Sequence, residues 1–445
     1  MDGRLPAGPY RIIPGPAGDI PWYMVSFDPH GRCTAPRTAH EMVDRAASGR
    51  YSDVVLFCHG WNNDWSQATA RYESFIVGYL GVLRDFPPPA GPRQPLLVGI
   101  FWPSTALVSE SKAAPAIAGG VARDEDIAAE RETIEELARA LPAQQAERFY
   151  ALIQREVLDS GAAQELTTMF LPLLASDLAE AGGGKPPTPD EVVSGWWAAS
   201  ATVAIPDLDD FGYYTEEVTE GKPPEAAGLR WLDPRDLIRV FTVWQMKDRA
   251  GVVGSYGVAS LLTDLMKHSS LSVHCVGHSY GAKVVLSAIC APRSGSSSVR
   301  SVLLLQPAVS CLCFARDADG TGRPGGFRPA LERVQLPILS TFSSRDLALT
   351  RFYQWALRRG RDLGEPTIAG LAPPSRYAAL GGFGPGGLGA AASVIDVLDA
   401  GTPYALGPGS PEVYGIQATR TISSHGDVSN PSTWWMLQQL LHAPQ

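Results

Sequence analysis

Leu271-Ser272-Val273-His274-Cys275-Val276-Gly277-His278-Ser279-Tyr280-Gly281-Ala282-Lys283-Val284-Val285-Leu286 is the stretch on which the reading of this chain turns. The apolar run from Leu271 to Val276 reads as a buried strand, and Ala282 to Cys290 as the helix after it. Between them a serine stands on a turn with a glycine two residues to either side. With no Cβ on those glycines, strand and helix can approach closely, and the serine hydroxyl is presented at the tip of a tight, strained turn. Such a strand-turn-helix unit is a nucleophile elbow.

Working outward, strand candidates lie at Trp22 to Phe27, Val54 to Cys58, Leu96 to Trp102, Ser272 to Val276, Val302 to Leu305, Leu336 to Phe342 and Val413 to Ile422. Helix-like segments alternate with them, among them Ser66 to Leu83, Asp233 to Met246, Gly254 to Lys267 and Thr433 to Leu441. Alternation of this kind predicts a parallel α/β sheet. Pro87 to Pro95 is a turn-rich connection, and Ala315 to Arg328 and Gly360 to Ser410 are Gly/Pro-rich loops, the second long enough to be functional. No internal repeat is visible.

A nucleophilic serine needs a base, an acid to orient it and donors for the oxyanion. Only His425 and His442 lie beyond all the later strand candidates. His425 follows the last of these and reads as a strand-end loop residue, whereas His442 falls in the terminal helix and is expected to face solvent. The acid is sought after Leu336 to Phe342, where Asp346 follows. Its carboxylate could accept the imidazole Nδ1–H, and it also fits a helix N-terminal carboxylate ahead of Leu347 to Leu357. Asp396 and Asp399 are the alternatives, both read as polar positions on a short helix.

The donors are expected in Val54-Val55-Leu56-Phe57-Cys58-His59-Gly60-Trp61-Asn62-Asn63, a buried strand emptying into a turn. The Tyr280 and Trp61 amides would supply them. Asn62 or Asn63 would add a side-chain donor or hold the turn. His59 by type suggests a base or a metal ligand, while its place before Gly60 suggests a residue that braces the loop.

These residues resemble the α/β-hydrolase superfamily, with His59-Gly60-Trp61, Gly277-x-Ser279-x-Gly281, Asp346 and His425 in the superfamily's order. The chain is most similar to bacterial serine hydrolases with an H-G-W/F-N-N oxyanion segment and a G-H-S-x-G elbow. The resemblance implies a mostly parallel central sheet of about eight strands, helices on both faces and acyl transfer through an acyl-serine. Esterases, lipases, thioesterases and amidases share that plan, so it does not choose among them.

One departure is large. Between Trp102 and Ser272 a single crossover helix would suffice, yet about 170 residues intervene. Ile127, Ile134, Leu137 and Leu141 fall on one face of an acidic helix, and Phe149, Leu152, Ile153 and Val157 on the next, which Pro142 can begin. After Gly182 to Pro187, Thr188-Pro189-Asp190-Glu191 reads as a capping box ahead of Trp196 and Trp197. The expected organisation is hydrolase core over 1–103, a mainly helical cap over 104–230 inserted before the nucleophile strand, and core again over 231–445. Trp196, Trp197, Phe211, Tyr213 and Tyr214 would either line an apolar acyl pocket or form the cap's own core.

Composition limits the partners. The 445 residues, 45% hydrophobic and 19% charged, suffice for a large core plus a second subdomain. A formal charge of −9 argues against nucleic acid or an anionic membrane surface. Met1 to Pro21 has no apolar core of a signal peptide, so a cytoplasmic location is expected. The longest apolar stretches, such as Trp196 to Ile205, fall short of the ~20 residues of a spanning helix. The cysteines Cys33, Cys58, Cys275, Cys290, Cys311 and Cys313 read as buried thiols, the last two facing one way on a strand. Asp207 to Asp210 lacks the glycine-spaced loop of a calcium site and reads as a solvated turn.

The expected activity is therefore hydrolysis of carboxylic esters, on a small-molecule or lipid-like substrate with an apolar acyl group, with no metal or organic cofactor. Lipase, phospholipase or polyester-active versions are narrower possibilities. Thioesterase, amidase or acyltransferase activity on the same triad is the alternative, and a catalytically silent binding scaffold the reading from another class.

Overall fold

A computed structural model describes residues 7–104, 131, 134–155, 157–174, 188–200, 234–268, 271–292, 298–353 and 378–444. Among the described residues nine strands form one sheet: β1 (Arg11–Gly15), β2 (Gly18–Ser26), β3 (Asp53–Cys58), β4 (Pro95–Phe101), β5 (Ser272–His278), β6 (Ser301–Leu305), β7 (Ile338–Phe342), β8 (Ala392–Asp396) and β9 (Val413–Gln417). Their order is β1-β2-β4-β3-β5-β6-β7-β9-β8. Only the β1/β2 hairpin is antiparallel; every other neighbouring pair is parallel. This is a mixed α/β fold with a mostly parallel sheet.

The helices are α1 (Pro36–Ala46), α2 (Trp65–Asp85), α3 (Ala143–Ile153), α4 (Ser160–Phe170), α5 (Pro189–Ser200), α6 (Pro234–Val252), α7 (Ala259–His268), α8 (Tyr280–Cys290) and α9 (Pro431–Leu441), with shorter turns between. Side chains alternate across each central strand, so Val54, Leu56 and Cys58 of β3 pack on one face with α1 and α6 to α8, and Val55 and Phe57 on the other with α2 and α9. Both long outer helices are firmly started: Asp64 forms a capping box with Gln67 at α2, and Asn430 one with Thr433 at α9, where Pro431 fills the first position.

Two edge strands were not legible. In β1, Pro14 and the polar setting hide a strand that needs the β2 hairpin to exist, and β8, Ala392-Ser393-Val394-Ile395-Asp396, is a half-exposed edge. Asp396 therefore ends a strand rather than sitting on a short helix, and Asp399 follows in the turn. β9 stops at Gln417, five residues before Ile422. The two helices expected at Asp233 to Met246 and Gly254 to Lys267 are one continuous helical run, α6 and α7 joined by a widened π turn over Val253–Val258. A Cβ on Gly254 would lie 2.4 Å from the Val284 carbonyl oxygen, so glycine there lets that turn lie directly on α8.

Between β4 and β5 the described helices α3 and α4 pack on α6: Phe149 meets Phe170 edge-on with centroids 5.4 Å apart, and Phe170 stacks on Phe241 at 4.4 Å. Leu137, Phe149 and Leu152 are buried in this seam, with Ile134, Leu141 and Ile153 against it. Val157 is not; α3 ends at Ile153 and Val157 is exposed. Ile127, Asp207 to Asp210, Phe211, Tyr213 and Tyr214 lie outside the described residues, as do the side chains of Trp196 and Trp197 in α5. Cys311 and Cys313 occupy a buried turn after β6 rather than a strand. Among the described residues no helix is long and apolar enough to cross a membrane.

Candidate active site

Parallel register brings the carboxyl ends of β3, β5, β6, β7 and β9 to one edge of the sheet: Cys58 pairs with Gly277, His278 with Leu305, and Phe342 with Gln417. Ligand sites of open α/β sheets lie at such ends. Among the described residues the three non-glycine residues with positive φ are Asn62 (54°), Ser279 (54°) and Gln306 (43°), which follow β3, β5 and β6 there. Backbone strain is thus concentrated along one rim of three adjacent strands.

Ser279 has φ 54° and ψ −124° and stands directly between β5 and α8. Its amide donates to the Leu305 carbonyl (3.1 Å), and its own carbonyl accepts from Ala282 N (3.1 Å) and Ala308 N (3.2 Å), which fix the turn from both sides. Glycine is required around it. A Cβ on Gly277 would come 2.7 Å from Ala282 Cα, and one on Gly281 2.1 Å from the Cys58 carbonyl oxygen.

His425 Nε2 lies 2.8 Å from Ser279 Oγ, and its Nδ1 lies 2.8 Å from Asp346 Oδ2. All three residues are buried. The two roles read for Asp346 coexist in one carboxylate: Oδ2 faces His425, while Oδ1 accepts the Leu349 amide (3.0 Å) at the start of the helical turn over Ala348–Phe352. His425 stands eight residues beyond β9, in a loop tied down by Ser423, whose amide and hydroxyl donate to Asp427 Oδ2 at 3.0 and 2.8 Å. Ser343 Oγ donates to the Ile422 carbonyl (2.8 Å) and joins the acid and histidine loops. His442 is not in the site; it is half-buried at the end of α9, not solvent-facing, and its Nδ1 meets the Gln438 carbonyl at 2.9 Å.

The loop after β3 packs directly over the serine, since a Cβ on Gly60 would be 2.7 Å from Ser279 Cβ. Trp61 is buried beside Tyr280, their ring centroids 6.3 Å apart. The Asn62 amide donates to the Ser104 carbonyl (2.9 Å). Asn63 holds the turn, its Nδ2 donating to the Gly60 (3.2 Å) and Trp61 (2.7 Å) carbonyls. His59 is occupied at both ring nitrogens: Nδ1 donates to the Gly60 carbonyl (2.9 Å) and Nε2 accepts the Trp102 amide (3.3 Å). It also stacks on the Trp102 ring at 5.7 Å, and burial pushes its pKa down to about 4. A neutral imidazole so engaged braces the loop.

Two further residues belong to the site and were not read from the sequence. Gln306 Nε2 donates to Asp346 Oδ2 (2.8 Å) and to the Gly381 carbonyl (3.0 Å), while its Oε1 accepts from Thr341 Oγ1 (3.1 Å), which fixes which way the amide faces. His278 Nε2 donates to the His425 carbonyl (2.9 Å); burial, with the neighbouring His425, holds its pKa well below the usual histidine range. The residue before Ser279 thus supports the loop that carries His425.

A second serine-histidine-aspartate set lies at the opposite end of the sheet. Ser301 Oγ is 2.7 Å from His274 Nδ1, and Asp53 Oδ1 is 3.2 Å from His274 Nε2, with Arg93 on Asp53 at 3.0 Å. Ser301, His274 and Asp53 are sealed within β6, β5 and β3, with no turn to present the hydroxyl, so this set pins three strands together.

Compared with protein-family models, with curated proteins and with solved structures, the chain matches none.

Proposed function

We propose that the chain is a serine hydrolase of the α/β-hydrolase class that cleaves carboxylic esters through an acyl-serine intermediate. The observation that carries this reading is the unbroken hydrogen-bonded chain Asp346–His425–Ser279, with its serine on a strained turn at the carboxyl end of a central parallel strand. A sealed set such as Ser301, His274 and Asp53 has the same residue types without the turn.

In this mechanism Ser279 Oγ attacks the acyl carbon as its proton passes to His425 Nε2. Asp346 holds the imidazole by Nδ1 and stabilises the imidazolium, and the amides of Trp61 and Tyr280 receive the oxyanion. Collapse breaks the bond to the alkoxy group, which leaves as the alcohol with the proton from His425. Water then gives its proton to His425, adds to the acyl-serine and releases the carboxylic acid, and Ser279 regains its proton. The preference for an apolar acyl group belongs to the same proposal.

Hydrolysis of p-nitrophenyl esters from acetyl to palmitoyl tests it, with Ser279→Ala alongside and both proteins checked for folding. Turnover by the wild type, an optimum chain length and at least a thousandfold loss in the variant are expected. Equal turnover by the two proteins would refute the assignment.

A further inference from the structure

The loop 59–63 lies so close to the serine that a Cβ on Gly60 would stand 2.7 Å from Ser279 Cβ. Its outer side is held by the exit of β4. The Trp102 indole donates to the His59 carbonyl (3.0 Å), and the Ser104 carbonyl accepts the Asn62 amide (2.9 Å). Ser104 Oγ accepts the Asn63 amide and donates to the Asn63 carbonyl, both at 3.2 Å. Buried Ser104 thus grips two successive residues just past Trp61 and holds Asn62 at its left-handed φ of 54°.

Residues 102–104 lie beyond the end of β4 at Phe101 and need an anchor of their own. Pro103 has no amide hydrogen to give, and its carbonyl accepts Arg249 Nη1 at 2.9 Å. Arg249 is a buried residue of α6 whose Nη2 donates to Glu136, in the segment between β4 and β5. Charge-assisted bonds at both ends make this guanidinium a fixed point for the carbonyl it holds.

We infer that Arg249 and Ser104 are positioning residues for the oxyanion: Arg249 fixes Pro103, Pro103 carries Ser104, and Ser104 sets the loop on which the Trp61 amide stands. This rests on the proposed ester hydrolysis, in which that amide receives the oxyanion. Such donors act at ~2.7–3.1 Å, so a loop displaced by a fraction of an ångström binds the ester as before and the oxyanion less well.

The test is p-nitrophenyl acetate kinetics on the full-length chain, with 1,1,1-trifluorodecan-2-one as inhibitor. Ser279 Oγ adds to the ketone carbon, the carbonyl π pair becomes the oxyanion and the serine proton passes to His425, so the affinity for the ketone reads the hold on the oxyanion. Ser104→Ala and Arg249→Gln should each lower kcat about tenfold, leave KM within about twofold and weaken the ketone about tenfold, less than the ~100- to 1,000-fold of a donor lost outright. Combined, they should cost no more than the worse of the two, because both act on one loop. Arg249→Gln leaves the Glu136 carboxylate without its arginine, so Glu136→Gln/Arg249→Met, which removes both charges, should show the same loss with the wild-type circular dichroism. Arg148→Gln, which breaks the exposed ion pair to Glu165, should leave kcat unchanged. Losses that multiply to about a hundredfold in the combined variant, a kcat loss without weaker ketone binding, or an equal loss in Arg148→Gln overturns the positioning. A wild type that neither turns over ester nor binds the ketone sinks the hydrolase reading and this inference with it; an active wild type matched by Ser104→Ala and Arg249→Gln sinks this inference alone.

Discussion

Gln306 donates its side-chain amide to Asp346 Oδ2 at 2.8 Å, the same oxygen that faces His425 Nδ1. The carboxylate is thereby held from two directions, and the angle at which it meets the imidazole is set by a residue on the neighbouring strand end. Gln306→Leu keeps the volume and removes the donor. Its expected effect is a kcat about ten- to a hundredfold lower with KM within about twofold, the value of one hydrogen bond to a charged group. Ester kinetics with a denaturation midpoint distinguish this from a structural role, which would lower the midpoint and spare kcat.

Strain at the serine gives a second test. At φ 54° and ψ −124°, Ser279 occupies a conformation costly to any residue with a Cβ. Ser279→Gly should be more stable than Ser279→Ala by about 1–2 kcal/mol, although both lose the hydroxyl. Urea denaturation with unchanged m-values measures the difference; an alanine variant as stable as the glycine variant would mean that the turn stores no strain.

His59 makes stability depend on pH. Its pKa falls from the ordinary 6.5 to about 4 on burial, so between those values the unfolded chain binds the proton more readily than the folded one. Stability from this residue is complete above about pH 6.5 and declines as pH falls toward 4, by on the order of 3 kcal/mol in all. Acting in the same direction, His278 adds to the loss. Urea midpoints from pH 7 to pH 4 should fall accordingly, and His59→Gln should flatten the curve; a midpoint unchanged over that range would contradict the buried neutral form.

The strand-turn-helix around Ser279, the grouping of Ser279 with Asp346 and His425, and the parallel core could all be read from residues, because each depends on local signals: apolar runs, paired glycines, and polar residues just past strand ends. Strands β1 and β8 were hidden because edge pairing, not intrinsic pattern, makes them strands. Gln306 gave no signal, since its role arises from a left-handed backbone and from contacts with Thr341, Asp346 and Gly381, each distant in sequence. Nor did the sequence signal the grouping of Ser301 with His274 and Asp53, since strand register alone brings these three together.

Among the described residues, hydrogen-bond partners of Ser279, His425 and Asp346 come from the strand ends and from the first turns of the helices that follow them, and none comes from the helices α3 to α5. Helices α3 and α4 rest on α6 through a seam of phenylalanines, and Arg249 of α6 bonds Glu136 and the Pro103 carbonyl. The sequence of α3 and α4 can therefore vary, so long as the phenylalanine seam survives, without disturbing the hydrogen bonds that join Ser279, His425 and Asp346.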